Sequence, residues 1–200
     1  FKKEAIVEIL DTETGISPRA VPGVPGHIHI AASDEHDEDG TLISDEFTNP
    51  HKRRMMVEKR ARKMDTVLDA IEPPELVGPN DAAATLVGFG STWGVILEAI
   101  EKLALENKIV VNQLHVKWIV PFHVDAISSI LASSQKIIIV ENNYSGQFAR
   151  YLRSETGIKG DAYIRKYDGE PFMPHHIVDG IKAILEGETD LYIPTHEMMV

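Results

Sequence analysis

From about Ala82 onward, short apolar runs alternate with amphipathic stretches of helical period, and this alternation constrains the fold more than any other feature of the chain. "AATLVGFG" (83–90) reads as a strand and "WGVILEAIEKLALEN" (93–107) as a helix with Val95, Ile96, Ala99, Ile100 and Leu103 on one face. "VVNQLHVKWIVPF" holds a second strand, and "HVDAISSILAS" a helix that turns Ile127, Ile130 and Leu131 inward. "KIIIVEN" is nearly all apolar, as expected of a parallel strand covered on both faces. "SGQFARYLRSETG" predicts a helix ending at Gly157, and "AYIRKYDG" a fourth strand. "MPHHIVDGIKAILEGE" predicts a last helix opened by Pro174, with Ile177, Val178, Ile181, Ile184 and Leu185 on one side. Strands alternating with helices in this way predict an α/β domain, a three-layer parallel sheet with helices on both faces, over residues 81–200.

Residues 1–80 read as a linker segment with a different texture. "EAIVEIL" (4–10) is too brief to assign to strand or helix, and "HIHIAA" (27–32) alternates like a short strand. Between them, "GISPRAVPGVPG" has too many prolines and glycines for regular structure. A basic helix follows, with Asn49 as N-cap, Pro50 in the first turn, and an apolar stripe of Met56, Met64, Val67, Leu68 and Ile71. Pro73-Pro74 stop it, and the domain boundary is expected near Gly78-Pro79-Asn80. The cluster of Lys and Arg at 52–63 reads as a solvated face, or as one paired within the chain or with a partner.

Three motifs invite a chemical reading. Counted from Glu35, the acidic stretch "EHDEDGTLISDE" has the spacing of an EF-hand loop with Glu in the first place. An EF-hand needs a helix on either side to hold its carboxylates. Here the preceding residues are Gly- and Pro-rich and then β-like, so no calcium cage is expected. Nor do His27, His29 and His36 have the paired spacing of a zinc site. The acids are instead expected to splay apart, some pairing with Arg or Lys of the 52–63 helix or with a partner subunit, and His36 to turn toward protein rather than metal. "GFGSTWG" (88–94) lies between strand and helix, where phosphate loops belong. Its glycines are spaced one residue too far for the dinucleotide fingerprint, and it reads as a tight, closely packed turn. "ENNYSGQ" (141–147) ends the third strand, at the edge where such domains place ligands; Asn142 and Asn143 either cap the next helix or face a ligand.

Composition narrows the function classes. A net charge of −11 argues against nucleic acid or an anionic membrane as partner. With no cysteine the chain forms no disulfide and supplies no thiolate to an iron–sulfur cluster. No apolar run approaches the roughly 18 residues of a membrane helix, and a cytoplasmic location is the default expectation.

Six strings in order, "GISPRAVPG", "SDEHDEDG", "RRMMVEKRARK", "GFGSTWG", "VENNYSGQFARYLRSETG" and "KYDGEPFMP", resemble the C-terminal part of the α subunit of 2-oxoacid:ferredoxin oxidoreductases, especially the 2-oxoglutarate type. The resemblance runs from about Gly15 to Pro174, and in that family the "EHDEDG" stretch is a signature rather than a calcium loop. It implies a transketolase C-terminal-like domain within an enzyme that decarboxylates a 2-oxoacid on thiamine diphosphate with Mg²⁺. That enzyme passes electrons through iron–sulfur clusters to ferredoxin and releases an acyl-CoA. The implied partners are a β subunit and ferredoxin, in an oligomer. The thiamine motif, G-D-G followed by N-N, is absent, so no catalytic, cofactor-binding or metal residue carries over and the segment is expected to be structural. Arg19, mounted between two prolines, is a candidate anion clamp. Glu35, His36, Asp37, Glu38, Asn142 and Asn143 are candidates for anion or interface contacts. The competing reading is a stand-alone nucleotide- or phosphate-binding module that uses the glycine turn and the "ENNYSG" strand end.

Overall fold

The computed structural model describes residues 13–17, 23–25 and 49–195. The chain divides into two compact units, residues 1–72 and 73–200. The segments 4–10 and 27–32, read above as possible strands, lie outside the described residues.

In the first unit, helix α1 (Pro50–Ala70) begins as expected. The Asn49 side chain accepts a hydrogen bond from the Lys52 N–H at 3.1 Å, and Pro50 occupies the first turn, where its missing N–H costs nothing. It ends at Ile71, whose extended backbone (φ −101°, ψ 141°) leads into Pro73-Pro74. Of the expected stripe, Met56 is buried, and Met64, Val67, Leu68 and Ile71 are half-buried. Lys59, one turn from Met56, is buried with them and donates to the Ser17 hydroxyl, so the basic run is not a uniformly solvated face.

The second unit is built on one six-stranded sheet. In chain order its elements are β1 (Leu76–Val77), β2 (Thr85–Phe89), α2 (Trp93–Lys102), β3 (Asn112–Val116), α3 (Val124–Ala132), β4 (Ile137–Glu141), α4 (Gln147–Thr156), β5 (Ala162–Arg165), α5 (Pro174–Leu185) and β6 (Leu191–Tyr192). The spatial order is β1-β3-β2-β4-β5-β6. All neighbours are parallel except β1, which pairs antiparallel to β3 with Leu76 opposite Leu114. Every predicted strand and helix of this half is present. The two-residue strands β1 and β6 are additions that no periodicity announces. Leu76 and Val77 lie between two proline-containing stretches and so read as linker, yet they form the edge of the sheet.

Period-two alternation along the central strands sorts side chains to two faces. Leu86, Ile138, Val140, Ala162 and Ile164 pack under α2 and α5 with Ile96, Ala99, Ile177 and Ile181. Val87, Leu114, Val116, Ile137 and Ile139 pack on the other face with Ile127 and Leu131 of α3 and with Phe148 and Leu152 of α4. The result is the three-layer arrangement expected, with a β-rich core buried on both sides.

Candidate functional site

Numbered among themselves, the parallel strands run 2-1-3-4-5, and the chain reverses its winding direction between β2 and β4. The crevice outside the carboxyl ends of those two strands is where doubly wound sheets bind ligands. Both strings singled out above, "GFGSTWG" and "ENNYSGQ", converge there because they leave β2 and β4, which are hydrogen-bonded neighbours.

Glu141, the last residue of β4, is fully buried. Its carboxylate accepts hydrogen bonds from the Asn143 side-chain amide (2.7 Å), the Phe148 N–H (2.9 Å) and the Ala149 N–H (3.4 Å). The Asn143 side-chain oxygen in turn accepts from the Gly146 N–H (2.8 Å) and the Gln147 N–H (3.1 Å). A helix start leaves four backbone donors without intrahelical partners and carries partial positive charge. At α4 two side chains take all four donors, and one of them brings the negative charge the helix end favours. Gly146 is buried with φ +69°, a backbone conformation that favours glycine, and it packs against the Arg165 guanidinium. Asn142 diverges from its neighbour: it is exposed, and its amide donates to the Glu170 carbonyl at 3.4 Å. The pair is therefore split, Asn143 committed to the helix and Asn142 tied to the loop after β5.

The glycine turn is equally closed on its inner side. A β-carbon on Gly88 would lie 2.6 Å from the Thr92 hydroxyl and 2.7 Å from the Ile96 Cδ1, while the Thr92 hydroxyl donates to the Phe89 carbonyl at 2.9 Å. Beneath the first turn of α2, the Gln113 amide donates to the Trp93 carbonyl at 3.3 Å and the His115 ring stands edge-on to the Trp93 indole at 5.1 Å. Gln113 Oε1 and His115 Nδ1 are buried without a hydrogen-bond partner. Burial, and secondly the Lys117 charge, hold the His115 pKa below its ordinary value, so this imidazole favours the neutral form.

At the carboxyl end of β5, Arg165 lies over the Tyr163 ring (4.9 Å to the centroid), and its guanidinium donates to the Tyr144 carbonyl at 3.4 Å. The buried Lys166 donates to Asp168 and, at 3.2 Å, to the Glu170 carbonyl, which folds the loop back on itself. The Lys166 hydrogen bond, chiefly, lowers the Asp168 pKa to about 2. Tyr144 and Tyr167 stand perpendicular at 5.1 Å on the solvent side.

Arg19, Glu35, His36, Asp37 and Glu38 lie outside the described residues. Sequence reading missed Lys59, whose pKa is lowered by burial and then by Lys63, Arg62 and Arg60. Its place three residues after Met56, on the apolar stripe, was the signal available. Among the described residues, no group of three His, Asp or Glu side chains could hold a metal. Among them, too, no helix is long and apolar enough to cross a membrane.

Residues 77–167 match the family described as transketolase, C-terminal domain. The chain is 35% identical over 187 residues to 2-oxoacid:ferredoxin oxidoreductase 2, subunit alpha, of Aeropyrum pernix, covering 92% of this chain and 28% of that one. It is 30% identical over 178 residues to 2-oxoglutarate oxidoreductase subunit KorA of Mycobacterium tuberculosis, covering 88% and 26% respectively. A solved structure of the 2-oxoglutarate:ferredoxin oxidoreductase from Magnetococcus marinus, with 2-oxoglutarate, coenzyme A and succinyl-CoA bound, superimposes with a TM-score of 0.71 at 34% identity, over 87% of this chain and 30% of that one. The chain thus spans between a quarter and a third of the length of these relatives. The second unit has the fold of a transketolase C-terminal domain, and the chain is similar in sequence to part of the α subunits of 2-oxoacid:ferredoxin oxidoreductases.

Proposed function

We propose that this chain is the C-terminal part of the α subunit of a thiamine-diphosphate-dependent 2-oxoacid:ferredoxin oxidoreductase, and that its own role is structural. The observation that carries the structural role is the closed start of α4. At the start of α4, the donors that could grip a phosphate are spent on Glu141 and Asn143. The residues present do not fit thiamine diphosphate, because those donors are taken and the sequence lacks the thiamine motif. They do not fit an iron–sulfur cluster either, since there is no cysteine. In this reading the cofactors, the oxoacid and CoA are bound elsewhere in a cytoplasmic complex with a β subunit and ferredoxin. The names of two relatives favour 2-oxoglutarate as the oxoacid. Arg19 remains our candidate for a carboxylate or CoA-phosphate clamp in that complex, with Glu35, His36, Asp37 and Glu38 facing basic groups and Asn142 an interface.

The test has two arms. Calorimetric titration of the 200-residue chain with thiamine diphosphate and Mg²⁺, and separately with ADP, is expected to show no heat of binding in the micromolar range. The full α subunit assembled with its β subunit is expected to reduce ferredoxin in a 2-oxoacid- and CoA-dependent way. Micromolar binding of ADP to the isolated chain would favour the stand-alone nucleotide module and overturn this reading.

A further inference from the structure

Each of the four adjacent strands β3, β2, β4 and β5 is followed, at its carboxyl end, by an exposed aromatic side chain. Trp118 follows β3 (48% exposed), Trp93 follows β2 (38%), Tyr144 follows β4 (74%) and Tyr167 follows β5 (45%). At a strand spacing of about 4.8 Å the four span roughly 14 Å along one edge of the sheet. Val120 and Met173, in the same loops, are exposed beside them.

The opposite edge is built differently. Its connecting loops hold no aromatic residue and carry Asp81, Lys108, Lys159, Glu186, Glu188 and Asp190 among their charges. An ordinary solvated edge looks like that one. The carboxyl edge exposes Lys117, Asp168 and Glu170, fewer charges than the opposite edge and set among the aromatics. Aromatic residues and Met with few charges are the composition of an interface core, and Trp and Tyr are the residues that most often dominate binding there. Against a nucleotide stacked on these rings, the α4 amides are capped and the Lys166 ammonium is held by Asp168 and the Glu170 carbonyl, while the turn into α2 has no side-chain cap and is the place where added ADP would register.

We propose that this carboxyl edge is a protein-docking surface, and that it receives another domain of the same α subunit through an apolar, weakly charged face. The proposal rests on the functional reading above. Its choice of occupant comes from length, since the matched α-subunit relatives are more than three times as long as the stretch this chain covers, which leaves large parts of such a subunit to be packed against this domain. The loops converge where the domain itself offers no cover.

Hydroxyl-radical footprinting read by mass spectrometry tests the proposal on the isolated chain and on the full α subunit in its complex. The chain has only two tryptophans, both on this edge, so their peptides report on it directly. In the complex, oxidation of Trp93, Trp118, Tyr144 and Tyr167 is expected to fall about tenfold, as for residues entering an interface core. Leu105, 83% exposed beyond the other end of α2, serves as the reference for labelling efficiency. Equal labelling of the four aromatics in chain and complex overturns the proposal. So does protection of the isolated chain that grows with its own concentration, which would make a second copy the occupant. Protection of the isolated chain by added ADP overturns it as well, in favour of a nucleotide. Oxidoreductase activity of the same complex is measured separately. An active complex with an unprotected edge sinks the docking surface alone, and an inactive one with a protected edge sinks the functional reading alone.

Discussion

Glu141 is a buried carboxylate in a strand otherwise made of isoleucine and valine, and its three hydrogen bonds account for its tolerance there. Glu141→Gln keeps the size but replaces one accepting oxygen with an amide that turns its own N–H toward backbone donors. The expected cost is about 2–3 kcal/mol, against about 1 kcal/mol for Asn143→Ala, which removes the oxygen that accepts from the Gly146 and Gln147 N–H groups. Urea midpoints measure both, and equal losses would contradict the division of labour described for the two side chains. His115 carries a pH dependence of determined sign. Its folded pKa lies below the ordinary 6.5, so between those two values the unfolded chain binds more protons than the folded one. Stability from this group is therefore complete above about pH 6.5 and declines as the pH falls toward the folded value. Denaturation at about pH 7.5 and about pH 5.5 is expected to show a smaller loss in His115→Gln than in the parent chain. An identical loss would mean that other groups carry the acid dependence.

At the scale of elements, the turn from β2 into α2 makes two glycines behave oppositely. Gly88 faces the Thr92 hydroxyl and Ile96, and Gly88→Ala forces both to shift, at an expected cost of about 1–3 kcal/mol. Gly94 lies inside α2 with nothing near the position of its missing β-carbon, so Gly94→Ala is expected to stabilise by about 0.5 kcal/mol through the unfolded state. Thermal melts of the two variants check the opposite signs. A phosphate loop would tolerate neither change in its ligand affinity; a packing turn distinguishes them in stability alone. The helix boundaries show how much an element owes to its own residues. Pro50 and Pro174 open α1 and α5, and Gly157 with φ +74° closes α4, as their backbone preferences dictate.

For the molecule as a whole, the sequence alone determined, within the second unit, which of the longer stretches are strands and which helices, and which face of each turns inward. Those properties reside in local periodicity: Leu86 and Val87 face opposite ways because they are neighbours on a strand, whatever lies beside them. Their order in space is not local. That β2 lies between β3 and β4, bringing "GFGSTWG" and "ENNYSGQ" to one crevice, follows from which pairs of helices cover which face. Likewise β1 and β6 exist only because β3 and β5 offer them a paired edge, two residues being too few to show a period. The sequence left Asn142 and Asn143 open between capping and ligand, and the fold separated them by supplying Glu141 on one side and the Glu170 carbonyl on the other. Lys59 reads in sequence as one more member of a basic run, and in the folded unit it is buried with its ammonium donating to the Ser17 hydroxyl. Periodicity is written residue by residue, whereas strand order, edge pairing and the commitment of a buried polar group depend on partners far away in the chain.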